Sequence, residues 1–288
     1  MIDKNSRILI VGLGLIGGSY AMALSRKGYN VTAITKERDD IDYAVKNGII
    51  RAGSTEVDKK TVSGADIIIF ALYPHVFVEW MEKYGRYISE GTLVTDVTGV
   101  KGAVIDKINE YIPSGAEFIA AHPMAGKEVY GVKNADDGIF ADANFIVVPT
   151  RDNTPSAIEK CKSLGEILGF KRISYLNPKQ HDEMVAFLSQ LTHCIAVSLM
   201  CANGDPNLVS YTGDSFRDLT RIANINEEMW SELFLLNKSA LLYEMDCYRI
   251  CFDKLYNAIT NGDEATIKSM MRLSTERRKM FNQDGKKL

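Results

Sequence analysis

The chain has 288 residues, a formal net charge of −3, 46% hydrophobic residues and 25% charged residues. That length is enough for two domains, and a near-neutral chain without a long run of like charge argues against nucleic acid or an anionic membrane surface as partner. No segment approaches about 18 uninterrupted apolar residues, and MIDKNSRILIVGLG opens a strand instead of a signal peptide, so a cytoplasmic protein with no membrane partner is expected.

The first element carries the most information. RILIV (7–11) runs directly into Gly12-x-Gly14-x-x-Gly17 and then into the helix-compatible SYAMALSRKG. In such a strand–turn–helix, the first glycine makes the tight turn and the second lets the backbone approach a pyrophosphate. The third lets the helix pack on the strand, which leaves a helix N-terminus facing phosphate. Gly12, Gly14, Leu15, Ile16 and Gly17 are therefore expected to hold a dinucleotide. Further apolar runs follow at VTAIT (31–35), DIIIFAL (66–72), TLVTDV (92–97), EFIAA (117–121) and NFIVVP (144–149), with amphipathic segments between most of them. Runs apolar on both faces suit a parallel sheet covered by helices on each side, so residues 1–177 read as a Rossmann-type, doubly wound α/β domain. PSAIEKCKSLGEILGF and KRISYL are expected to complete it before Asn177-Pro178.

Beyond Pro178 the strand signal fades. Met184, Leu188, Leu191, Ile195 and Leu199 recur with helical spacing, which predicts one long helix over about 179–202. Further helices are expected at 214–222, 227–261 and 263–281, so residues 178–288 read as an all-helical domain. The segment MWSELFLLNKSALLYEMDCYRICFDKLYNAI is apolar on more than one face. Burying the surplus against a second copy predicts a homodimer. Cys161, Cys194, Cys201, Cys247 and Cys251 fit neither a disulfide framework nor a CxxC site, so no metal is expected. Cys247 and Cys251, four apart on a helix, read as two buried small apolar groups.

Ligands of an open parallel sheet bind beyond the carboxyl ends of its strands. At that edge lie Tyr73, Pro74 and His75, then Asp96, Thr98, Gly99 and Lys101, then His122 to Glu128. A histidine leaving a buried strand beside a nicotinamide suits proton transfer near neutral pH; by position alone, His122 equally suits a strand end satisfied by backbone hydrogen bonds.

GLGLIGGS, DVTGVKG, AAHPMAGKE, HDEMVAFLSQLTH and FRDLTRIA followed by EEMW occur in order over nearly the whole chain. Together they resemble the prephenate dehydrogenase family, which includes arogenate and cyclohexadienyl dehydrogenases. The resemblance implies a dinucleotide domain followed by a helical dimerisation domain, with room for neither a fused chorismate mutase nor a regulatory domain. It implies oxidative decarboxylation of a small-molecule cyclohexadienol, prephenate or arogenate, by NAD or NADP. His122 would be the base at the ring hydroxyl and Arg221 the carboxylate anchor. His193 would be a second histidine of the cleft, or otherwise an interdomain hydrogen bond. Glu128, Gly213 and Trp230 would be further substrate contacts, and Tyr73 a cofactor contact. His181 matches the family's His-Asp pair at a helix start, where a structural role is equally open.

Two departures from the family pattern stand out. Gly99 occupies the place of a common serine, which leaves Thr98 to supply a catalytic hydroxyl. At the end of the second strand, where an acid would bind the ribose of NAD, the chain has Thr35, Lys36 and Arg38. A hydroxyl beside two cations suits a 2′-phosphate, so NADP is expected over NAD, with Glu37 the residue able to reverse this. Another two-domain oxidoreductase, of the β-hydroxyacid type, would need a lysine with asparagine one turn on, whereas Lys179 is followed by Glu183. A non-catalytic nucleotide sensor would have no use for both His122 and Arg221.

Overall fold

The computed structural model describes residues 1–281. The chain divides into two compact units, the first Met1–Lys238 and the second starting at Ser239. The expected boundary at residue 177 thus falls inside the first unit.

The first unit is built on two sheets. Strands β1 (Arg7–Val11), β2 (Asn30–Ile34), β3 (Ala52–Ser54), β4 (Ile67–Phe70), β5 (Leu93–Asp96) and β6 (Glu117–Phe118) form a parallel sheet in the order β3-β2-β1-β4-β5-β6. Strands β7 (Ala120–Pro123), β8 (Asn144–Val148) and β9 (Arg172–Tyr175) form a second sheet, with β7 antiparallel to β8 and β9 parallel to it. The helices are α1 (Leu15–Arg26), α2 (Arg38–Lys46), α3 (Lys59–Ser63), α4 (Pro74–Tyr84), α5 (Gly102–Asn109), α6 (Pro155–Leu168), α7 (Pro178–Val185), α8 (Thr192–Ala202), α9 (Asp214–Thr220), α10 (Glu227–Leu236), α11 (Lys238–Thr260) and α12 (Glu264–Met280).

The apolar strands sort their side chains by pleat. Ile8, Ile10, Ile67 and Ile69 join one buried cluster, whereas Leu9, Val11, Ile68 and Phe70 join the other. Both faces of the sheet are thus covered, which is what continuous Ile/Val/Leu runs require. At the turn after β1, Gly12 has φ +99°, and a Cβ there would meet the Ala71 carbonyl oxygen at 2.4 Å. At Gly17 a Cβ would fall 2.0 Å from the Gly12 carbonyl oxygen. Both positions exclude every side chain.

The structure departs from the sequence expectations at several places. β3 was not expected, because AGS has no β-branched run; it forms by pairing with the edge of β2. EFIAA is not one strand: the chain leaves β6 at Ile119 and enters β7, carrying His122 into the second sheet opposite Ile146. The last helix–strand unit completes this second sheet, not the parallel one. The expected helix at 179–202 does form, but a π-helical turn at Ala186–Leu191 separates α7 from α8. The extra residue in that turn rotates the helix face, so Val185, Ala186, Gln190, Leu191 and Ala196 are buried while Leu188 and Leu199 are exposed. This helix is long and apolar enough to cross a membrane, and within it Gln190 donates from Nε2 to the Leu233 carbonyl oxygen at 3.0 Å. The expected single helix at 227–261 breaks at Asn237, whose Nδ2 donates to the Asp182 carbonyl oxygen and Gln190 Oε1, each at 2.8 Å.

The second unit holds most of α11 and all of α12. Tyr243, Ile250, Phe252, Tyr256, Ile259 and Met271 are all exposed on it. Cys251 is exposed and Cys247 only part-buried, so the expectation that this pair is buried fails. Within a single chain, helices apolar all round have more such surface than the fold covers.

Candidate active site

The site grows from the end of β5. Asp96 and Lys101 are buried with side chains fully inaccessible, and their ion pair is 2.7 Å long. Every polar atom of this pair is engaged. Asp96 accepts the backbone N–H of Ala121 at 3.1 Å and of Thr98 at 3.0 Å, while Lys101 Nζ also donates to the Ala121 carbonyl oxygen at 2.6 Å. Both backbone groups of Ala121 are therefore clamped, and the next residue is His122. Burial pulls the Lys101 ammonium down from its ordinary range, against Asp96, which raises it.

The Thr98 hydroxyl has one proton, which points to Asp96 with the Val100 carbonyl oxygen as the alternative acceptor, and its oxygen accepts from Lys101 Nζ at 3.2 Å. It is buried and fully committed, which corrects the expectation that Thr98 offers a hydroxyl to the substrate ring. A Cβ on Gly99 would stand 3.3 Å from Leu233 Cδ1, so a serine there would need this leucine of α10 to give by a few tenths of an ångström.

His122 is half-buried on β7. Its Nδ1 lies 2.9 Å from Nε2 of His181, and His181 Nδ1 lies 2.8 Å from Asp182 Oδ1. Asp182 also accepts the N–H groups of Lys101 at 2.9 Å and Gly102 at 2.8 Å, at the start of α5. The α7 terminus that brings His181 and Asp182 here follows from Asn177-Pro178: proline at the first helical position, and a capping box between Asn177 and Gln180. Burial, then the neighbouring His181 and Lys101, push the His122 imidazole well below its ordinary 6.5. Burial likewise lowers His181, against the Asp182 hydrogen bond. Burial would raise the Asp182 carboxyl, but the His181 and backbone hydrogen bonds together hold it below its ordinary range.

His193, on α8, stacks on Trp230 of α10 with ring centroids 3.7 Å apart, and its Nδ1 donates to the Ser189 carbonyl oxygen of the π turn at 2.9 Å. Burial lowers its pKa; Glu128 raises it and Arg221 lowers it, so both charges stand near the ring. Arg221 and Glu128 themselves form an ion pair, with the arginine side chain 63% exposed. His193, Trp230, Arg221 and Glu128 are thus brought together. Gly213 lies at the start of α9, where its carbonyl accepts the Arg217 N–H. Tyr73 precedes α4, and its hydroxyl accepts from Asn226 Nδ2 at 3.2 Å. Next to it, Glu232 accepts from the His75 backbone N–H at 2.6 Å and lies 2.7 Å from its Nδ1, which ties the β4–α4 turn to α10.

A dinucleotide fits the β1–α1 turn. α1 starts at Gly14 with no side-chain cap and no acid in its first turn, and a Cβ on Gly14 would meet nothing within 4 Å. The first N–H groups, of Leu15, Ile16 and Gly17, have no side-chain acceptor competing with a phosphate. Thr35 follows β2, with Lys36 and Arg38 exposed and Arg38 Nε 3.1 Å from Asp42. Among the described residues no group of His, Cys, Asp or Glu side chains is arranged to hold a metal.

The family model for the prephenate dehydrogenase nucleotide-binding domain matches residues 20–173, and that for the prephenate dehydrogenase dimerization domain matches 177–273. The chain belongs to the prephenate dehydrogenase family. Prephenate dehydrogenase of Bacillus subtilis is 30% identical over 272 residues, covering 91% of this chain and 72% of that protein. The crystal structure of prephenate dehydrogenase from A. aeolicus in complex with hydroxyphenyl propionate and NAD+ has a TM-score of 0.87 at 27% identity, covering 97% of this chain and 99% of that one. Synechocystis arogenate dehydrogenase has a TM-score of 0.81 at 27% identity, with 96% and 99% covered. The resemblance read from HPMAGKE and its companion motifs is borne out, and with it an NAD(P)-dependent dehydrogenase of the prephenate type. Asp96, Lys101 and Asp182 lay outside the expected site set, although DVTGVK and the His-Asp pair carried the signal.

Proposed function

We propose that this member of the family oxidatively decarboxylates prephenate, preferring it to arogenate and NADP to NAD, with His122 as the base. The observation that carries this reading is His122 itself. It stands on a clamped strand, uncharged through burial, with one ring nitrogen tied to His181 and His193, Trp230, Arg221 and Glu128 gathered on neighbouring elements. The bound nicotinamide supplies the hydride acceptor. His122 takes the ring hydroxyl proton as hydride leaves the same carbon, and returns it to the phenolic oxygen once CO2 has departed and the ring is aromatic. No net proton is released. The Bacillus subtilis relative supports prephenate as substrate by its name. The test is absorbance at 340 nm with both cofactors against both dienols; equal or greater kcat/KM with arogenate overturns the substrate assignment.

Arg221 is the proposed carboxylate anchor. An exposed pair such as Arg221–Glu128 is worth about 0–1 kcal/mol, so a substrate carboxylate can replace Glu128 at little cost. Arg221→Ala, and also Arg221→Lys, which lacks the bidentate fork, should raise the dienol KM by roughly 10- to 100-fold with kcat changed far less. An unaltered KM removes Arg221 from the binding site.

The NADP preference rests on Thr35, Lys36 and Arg38. Thr35→Asp should reverse or strongly narrow the ratio of kcat/KM between NADP and NAD, because a carboxylate repels the 2′-phosphate and accepts from the bare ribose. Equal or better efficiency with NAD in the wild type sinks this assignment and points to Glu37, which starts α2 without a side-chain cap bond. The matched dimerization domain and the exposed apolar side chains of α11 and α12 support a homodimer. Five free cysteines and the cofactor support a cytoplasmic location. We assign residues 1–177 to cofactor binding and 178–288 to substrate binding and dimerisation.

A further inference from the structure

We infer that His181 and Asp182 are positioning residues that hold the His122 proton on Nδ1, so that Nε2 is the atom that accepts the substrate proton. This rests on the reading of His122 as the base. The argument runs along the hydrogen bonds from the carboxylate outward. Asp182 accepts the N–H groups of Lys101 and Gly102 as well as facing His181 Nδ1, and an ionised carboxylate only accepts. His181 Nδ1 must therefore carry a proton and donate it. His181 is fully buried, and the charged groups around it are Asp182, Lys101 and Asp96. With the Lys101 cation close by and the ring itself out of reach of solvent, His181 is neutral, so its Nε2 holds a lone pair. That lone pair faces His122 Nδ1 at 2.9 Å, with the two ring planes tilted by 58°. His122 Nδ1 must be the donor, and the lone pair of its Nε2 is left for the substrate.

The chain serves the reaction in a second way. When the substrate O–H bond breaks and its proton joins His122 Nε2, the ring becomes a cation whose Nδ1–H still points along His181 toward the Asp182 carboxylate. The charge that develops is met by a fixed, oriented acceptor, at no cost in rearrangement.

The test compares His181→Gln with His181→Leu, because the amide oxygen of Gln reaches the position of Nε2 and can accept from His122 Nδ1–H. Leu fills the buried space without an acceptor. Expected are a fall in kcat of at least about 30-fold for Leu, a clearly smaller fall for Gln, and dienol KM within about threefold in both. A purely structural role at a fully buried position predicts the reverse order, Leu equal to or better than Gln, and that order overturns the inference. Nitrogen-15 NMR of histidine-labelled wild-type protein gives an answer that needs no variant to fold: His122 is expected to be protonated on Nδ1, and protonation on Nε2 overturns the inference. Full activity of His122→Asn would instead defeat the base assignment, which the NMR result leaves separate.

Discussion

His122→Asn is expected to lower kcat by about 10²- to 10⁴-fold, the usual worth of a positioned acid–base group, with cofactor affinity nearly unchanged. The amide can keep a hydrogen bond to His181 but has no lone pair basic enough to take the ring hydroxyl proton. The pH dependence follows from the same burial. A base must be neutral to act, so activity rises with pH through the pKa of His122 in the folded protein. That pKa lies well below 6.5. The acid limb of kcat/KM should therefore lie below pH 6.5, with a plateau through neutrality, and its midpoint should vanish in His122→Asn. A folded His122→Asn protein with wild-type kcat would take this residue out of the reaction.

Lys101→Met is expected to destabilise the fold by about 3–5 kcal/mol, the usual cost of leaving one member of a buried ion pair without its partner. The Asp96 carboxylate, fully inaccessible, would keep the N–H groups of Ala121 and Thr98 but lose its cation. The Ala121 carbonyl oxygen would lose its donor as well. Denaturant unfolding measures this directly. The double variant Asp96→Asn/Lys101→Met should recover part of the loss, because no buried charge then remains. A cost below about 1 kcal/mol for Lys101→Met would mean that water reaches Asp96, contrary to the packing described.

Much of this was legible along the chain. The β1–α1 turn follows from local rules alone: only glycine has the φ of Gly12 and the absent Cβ of Gly17, and a helix N-terminus after a buried strand can do one thing well. The Ile/Val/Leu strands, the capped start at Asn177-Pro178 and the family motifs around His122, His193 and Arg221 are equally local signals, as each is carried by residue type and short spacing. Tertiary structure decided the rest. Ile119 bends the chain from one sheet to another because hydrogen-bond partners are available there: Val94 for its own N–H and Asp96 for that of Ala121. The spacing of Met184, Leu188 and Leu199 carries no sign of the π turn, which changes the buried face only once Gln190 finds Leu233 and Asn237. The same holds for Thr98. A hydroxyl at a strand end reads as chemistry aimed at a ligand, and only the packing of β5 against β7 shows it turned inward beside Lys101, both side chains spent on holding His122 in place. Residue type records which hydrogen bonds a side chain can make; which of them it makes depends on neighbours distant in sequence, and those are set by the fold.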